Sequence, residues 1–171
     1  DGALMQDSYE GPGRNIGFEI FDEMDLKSLA KQVAESVMIY LYADNVEPQE
    51  MPVVIHNGFG GVIFHEAVGH PLETSAVSKG LSPFAGKLGQ KVASEVVTAY
   101  DNGDEAGQWG RSTFDDEGNK TKKNLLIEKG ILKGYLSDYR SGKRMNYEST
   151  GSGRRQSYKY APTARMNTTY I

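Results

Sequence analysis

The run Gly60-Gly61-Val62-Ile63-Phe64-His65-Glu66-Ala67-Val68-Gly69-His70-Pro71-Leu72-Glu73 holds the densest set of chemistry-bearing side chains in the sequence. Its centre reads H-E-x-x-x-H, and two of the three histidines in the chain fall within it. Neutral imidazole is a common zinc ligand, and a carboxylate next to the first ligand is placed to take a proton from metal-activated water. His65 and His70 are therefore candidate metal ligands, Zn²⁺ the candidate cofactor and Glu66 the candidate catalytic base. The chemistry this points to is hydrolysis, with a peptide bond as the favoured target.

The spacing departs from the familiar H-E-x-x-H. On a regular α-helix, residues four apart lie about 40° from each other, whereas residues five apart lie about 140° from each other. An unbroken helix through His70 would splay the two rings. Two neighbours offer a way out: Gly69 permits unusual backbone angles, and Pro71 biases His70 away from the helical region. The helix is expected either to widen by a π-type turn or to stop just before His70. The bland alternative is a pair of histidines lining an ordinary buried helix. Glu66, Gly69 and the apolar lead-in Val62-Ile63-Phe64 together favour the metal.

Other polar residues are weighed in the same way. His56 is a possible third ligand, although a turn histidine fits its position better. Glu73, three residues after His70, either ligates metal, orients a ligand from behind, or is a plain helix-end glutamate. Asp115-Asp116-Glu117-Gly118 is read as a turn in preference to a cation site. Ser75 to Gln90, with four Gly or Pro residues and no period, reads as a loop, either a lid over the site or disordered. The glycines at 58, 60 and 61 match no phosphate-binding fingerprint.

The elements that must position this site suggest an α+β fold, with a mixed or antiparallel sheet, a long packing helix and a short HExxxH helix. Asp25 is a good N-cap for a helix running to about Leu41. Leu26, Leu29, Ala30, Val33, Val37, Tyr40 and Leu41 recur at helical spacing, and Met38 with Ile39 widens the stripe, so deep burial is expected. Strands are expected at Ile16–Phe21, Val53–Ile55, Val92–Tyr100, Trp109–Phe114 and Met166–Ile171. Leu125 to Leu136 reads as a hairpin turning at Lys129-Gly130. Ser137 or Asp138 is placed to cap a short helix ending near Met145.

Composition sets the bounds. The 171 residues include no cysteine, which excludes a disulfide scaffold. No apolar run approaches the roughly 20 residues of a membrane span, and no secretory leader is visible at the first residues. Net charge is −4 but uneven: residues 1–132 hold 21 acidic and 11 basic side chains, residues 133–171 two acidic and eight basic. A solvated or internally paired face explains the basic segment better than a nucleic-acid surface does.

The run Gly60 to Glu73, followed in order by Phe114-Asp115-Asp116-Glu117-Gly118, Leu126-Ile127-Glu128-Lys129-Gly130-Ile131-Leu132 and Pro162-Thr163-Ala164-Arg165-Met166-Asn167, resembles the TldD/PmbA family of metallopeptidases. The resemblance implies a cytoplasmic, zinc-dependent peptidase built as an assembly of two related subunits, acting on unfolded or extended peptides. Family members have also been linked to peptide-antibiotic maturation and to modulation of DNA gyrase. It further implies that the chain is of the TldD-like, motif-bearing type. The family's third zinc ligand is a cysteine downstream of the matched region, and an N-terminal domain precedes it. Residues 1–171 are accordingly read as a single partial domain, impaired or inactive by itself, with peptide as substrate, a related subunit as partner, and no membrane contact. The competing class is a non-catalytic interaction module, either an inactive partner subunit or a gyrase- or nucleic-acid-associated protein.

Overall fold

The computed structural model describes residues 2, 4–11 and 13–171, without the side chains of residues 58 and 59. The chain divides into two compact units, Asp1–Val54 and Ile55–Ile171.

In the first unit, α1 (Ile20–Glu23) precedes α2 (Leu26–Tyr42). Asp25 caps α2 as expected, accepting from the Ser28 amide at 3.0 Å. The stripe behaves differently from the expectation of deep burial. Leu29, Val33, Val37 and Leu41 are half-buried, Met38, Ile39 and Tyr40 are exposed, and none of the α2 residues is buried. Helical periodicity marks the face that would pack, but burial needs a second surface, and among the described residues α1 is the only other element of this unit. The strand expected at Ile16–Phe21 is a turn leading into α1. That expected at Val53–Ile55 takes no regular secondary structure and is exposed, Val54 almost completely. Among the described residues neither segment pairs with a strand, and β-propensity is expressed only through such pairing.

The second unit is built on a four-stranded antiparallel sheet in the order β3-β2-β1-β6, formed by β1 (Ala99–Asn102), β2 (Lys123–Glu128), β3 (Ile131–Leu132) and β6 (Thr169–Tyr170). The expected hairpin is β2–β3, with Lys129 (φ 46°) and Gly130 (φ 79°) both left-handed at the turn. This two-residue geometry matches the natural twist of paired strands. Trp109–Phe114 forms no strand; a single bridge joins Phe114 to Lys120, and Asp115 organises a turn by accepting from the Glu117 and Asn119 amides. The second sheet pairs β4 (Gly153–Arg154) with β5 (Thr163–Ala164).

Two buried aspartates tie the C-terminal segments down. Asp101 on β1 accepts from the Asn167 amide and the Thr169 hydroxyl, both at 2.8 Å, which fixes β6 against its neighbour. Asp138 caps α5 (Tyr139–Met145) through the Ser141 amide and accepts from the Ala164 amide at 3.0 Å, joining α5 to β5. The core comprises Leu72, Val77, Ala99, Leu126, Ile127, Leu132, Tyr135, Leu136 and Met166. Against it packs the segment expected to be a lid. Ser82 donates to the Pro71 carbonyl at 2.5 Å, Phe84 lies on the core, and Tyr135 donates to the Phe84 carbonyl at 2.6 Å. Residues 75–90, begun by α4 (Thr74–Val77), are thus anchored at several points, the Gly89 amide also donating to the Leu132 carbonyl at 2.8 Å.

Candidate metal centre

The motif lies on one compound helical segment. A 3-10 turn at Gly58–Gly61 leads into α3 (Val62–Phe64), a π-turn at His65–Gly69 and a 3-10 turn at His70–Leu72. Phe64, Val68 and Leu72, spaced by four, pack on the core, and Leu72 is fully buried. They hold one side of the segment to the sheet. The π-turn then supplies what a regular helix cannot: the His70 amide bonds back to the His65 carbonyl five residues earlier, so the two rings return to one side. The widening alternative is the one realised.

The residues flanking the break act differently from the sequence expectation. Gly69 (φ −58°, ψ −61°) and His70 (φ −58°, ψ −43°) both have helical angles. Gly69 is needed for space, because a Cβ there would sit 2.0 Å from Met166 Sδ. Pro71 does not expel His70 from the helical region. It occupies the first turn of the following 3-10 segment, where a missing N–H costs little.

The resulting geometry brings together all three predicted residues. His65 Nε2 and His70 Nε2 face each other at 3.1 Å, with the rings nearly perpendicular and 4.5 Å between centroids. One ligand atom each from His65, Glu66 and His70 lies within 4.8 Å of the others. Two nitrogens sharing a tetrahedral zinc at about 2.0–2.1 Å would be about 3.3 Å apart, so the pair fits that ion with little adjustment. His56 is not part of the group. Its Nδ1 donates to the Asn57 carbonyl at 2.7 Å, and the ring is exposed.

Behind His70 stands Glu73, which orients that ring. Its Oε1 accepts from His70 Nδ1 at 2.8 Å and its Oε2 accepts from Arg165 Nη1 at 2.7 Å. A proton held on Nδ1 leaves the Nε2 lone pair of a neutral ring free to ligate. Burial pushes the Glu73 carboxyl above the usual range, while the His70 hydrogen bond and the Arg165 charge pull against that shift. Main-chain bonds set this carboxylate in place, the Thr74 amide to the Leu136 carbonyl and the Leu136 amide to the Leu72 carbonyl. Arg165, 92 residues away in sequence, follows β5 and was not expected at the site. A lone arginine in a basic segment carries no local mark of its partner; pairing of β5 with β4 and the Ala164 bond to Asp138 hold its segment in place.

A cleft of about 220 Å³ opens beside His65, bordered by Gly61, Val62, Phe64, Asn167 and Thr169. Glu66 is exposed. The arrangement can hold a cation between two fixed imidazoles with a carboxylate at its edge, accessible from solvent.

The chain is similar to several known proteins. Residues 48–171 match the PmbA/TldA metallopeptidase C-terminal domain. The chain is 40% identical over 149 residues to the metalloprotease TldD homolog of Buchnera aphidicola, covering 87% of this chain and 31% of that protein. It is 27% identical over 154 residues to the zinc metalloprotease TldD homolog of Saccharolobus solfataricus, covering 89% of this chain and 34% of that one. The crystal structure of TldE from Thermococcus kodakarensis superposes with a TM-score of 0.66 at 28% identity, over 85% of this chain and 33% of its own. This chain therefore spans about a third of the length of each of these relatives. No helix among the described residues is long and apolar enough to cross a membrane. With the domain match spanning most of its length and the α+β fold in common, this chain belongs to the PmbA/TldD metallopeptidase family.

Proposed function

We propose that the protein containing this chain is a zinc-dependent peptidase acting on extended peptides, with His65 and His70 as zinc ligands and Glu66 as the catalytic base. The observation that carries this reading is the 3.1 Å approach of the two Nε2 atoms across a π-turn. A regular helix would not produce it, and it has an obvious chemical use. Zinc metalloprotease is also the name of a relative at 27% identity.

In this reading the protein ligand set is completed from outside these 171 residues, which contain no cysteine and form part of a larger catalytic domain. When bound, zinc supplies a Lewis acid that polarises a carbonyl and lowers the pKa of water to about 7. Glu66, exposed at the edge of the pair, accepts the proton of the attacking water and passes it to the departing amine. Glu73 keeps the His70 ring in its ligating tautomer and orientation. β6 is an edge strand, and Thr169 on it borders the cleft beside His65, so an extended peptide is aligned there through main-chain hydrogen bonds. The partner is a related subunit, as the likeness to TldE suggests, and the compartment in this reading is the cytoplasm.

The experiment is zinc analysis and peptide cleavage by the whole protein and its Glu66→Gln and His65→Ala variants. Glu66→Gln should retain zinc and lose at least about 10²-fold in kcat; His65→Ala should lose the metal. Normal cleavage by Glu66→Gln would remove this residue from the mechanism, and full zinc occupancy in His65→Ala would remove the ligand assignment.

A further inference from the structure

Around the β4–β5 ladder lies a cleft of about 510 Å³ lined by Arg154, Arg155, Gln156, Tyr160, Thr163 and Arg165. Its lining includes no carboxylate side chain. The arginines are held on paired backbone: Arg154 is opposite Thr163, and the Arg165 amide donates to the Ser152 carbonyl at 2.9 Å. Glu73 neutralises Arg165. Among the described residues, no carboxylate lies within ion-pairing distance of the Arg154 or Arg155 side chain. Arg155 reaches only the Asp116 carbonyl, at 3.5 Å, and Arg154 feels the buried Asp101 at longer range.

We propose that this cleft is a carboxylate-binding subsite, through which the protein selects peptides bearing an acidic group near the bond to be cut. Arg154 and Arg155 border this concavity without a neutralising carboxylate, and an entering anion relieves the repulsion between them. Guanidinium is planar and forked, and it matches a carboxylate with two parallel hydrogen bonds. Gln156, Tyr160 and Thr163 add neutral donors for the remaining lone pairs.

The connection to the metal pair is direct. Arg165 lines the cleft and donates to Glu73, and Glu73 accepts from His70, so two hydrogen bonds separate the cleft wall from a proposed zinc ligand. An extended peptide advances about 3.3 Å per residue, so the subsite would take a carboxylate lying a few residues from the cut bond. This role in substrate choice rests on the peptidase reading above. The acid is either the α-carboxylate of a chain end or an Asp or Glu side chain, and both present the same group.

The test measures binding separately from cleavage. Fluorescent pentapeptides bind the zinc-loaded whole protein carrying Glu66→Gln, and anisotropy reports affinity. Three forms are compared, one with a free C-terminus and a Glu, one amidated at the C-terminus, and one with Gln for the Glu. Removal of the recognised carboxylate should weaken binding by about tenfold. The form that loses affinity identifies the source. Adding Arg155→Gln should erase the difference, leaving the weaker peptide unaffected. The Arg155 main-chain bond to Asp116 at 2.8 Å survives that change, and Arg154→Gln is the second variant. Equal affinity for all three peptides, or a preference that persists in both arginine variants, would overturn the subsite. So would displacement by a DNA oligonucleotide with no effect of either carboxylate. A carboxylate preference in binding without cleavage by the Glu66-containing enzyme would leave the subsite standing and remove the peptidase reading instead.

Discussion

Met166 occupies the space into which any side chain at position 69 would have to project: a Cβ on Gly69 would lie 2.0 Å from Met166 Sδ and 3.0 Å from its Cε. The contact joins the residue before the second histidine to a segment 97 positions further along the chain. Through it, the core meets the π-turn directly.

Gly69→Ala should therefore cost about 1–3 kcal/mol, since Met166 is buried and must leave its packed position. It should also disturb the approach of the two imidazoles. Because the clash is with one flexible side chain, Gly69→Ala combined with Met166→Ala should lose less stability than the two single changes added together. Chemical denaturation of the four proteins checks this, and strict additivity would refute the contact.

Glu73→Gln should weaken zinc binding by about 10- to 100-fold, the usual effect of removing a carboxylate behind a metal-binding histidine. Arg165→Ala should act in the same direction, by leaving Glu73 buried without its cation. Competition with a chromophoric chelator measures both, and unchanged affinity in both variants would make Glu73 a purely structural residue.

Acid should act on the Asp138 network with a definite sign. Burial alone raises the Asp138 carboxyl, but hydrogen bonds from Ser141, Ala164 and Arg140 together bring it below the ordinary value. A folded-state pKa below the unfolded value, about 3.9, contributes stability that is present above that pH and lost as pH falls through the folded pKa. Asp138→Asn should thus be less stable than the parent near pH 7, with a deficit that narrows below about pH 4. Thermal denaturation across this range is the measurement; a deficit constant with pH would contradict it.

The β2–β3 turn offers a stabilising substitution and a destabilising one. Lys129 has φ 46°, a conformation costing roughly 1 kcal/mol in most L-residues, and asparagine tolerates it better. Lys129→Asn should raise stability by about 0.5 kcal/mol. Gly130→Ala should lower it by about 2 kcal/mol or more, since φ is 79° and a Cβ would lie 2.5 Å from the Ala93 carbonyl oxygen. Melting temperatures that moved the other way would refute the turn geometry.

What the sequence determined by itself was local. The Asp25 cap, a cap at Ser137 or Asp138 (the structure uses Asp138), the Lys129-Gly130 turn and the turn at Asp115 each depend on backbone angles and hydrogen bonds within a few residues, and each is realised where its residues stand. The cluster of His65, Glu66 and His70 was visible for the same reason, as was the need for an irregular turn between the two rings. The tertiary structure decided how that irregularity is accommodated and what stands behind it. Gly69 turned out to be required for the bulk of Met166, and Glu73 acquired its role from Arg165, whose partner no short-range pattern encodes. Apolar runs misled for the same physical reason. The α2 stripe and Val53–Ile55 have the composition of buried elements, but burial and strand pairing belong to pairs of surfaces, and one segment of sequence describes only one of them.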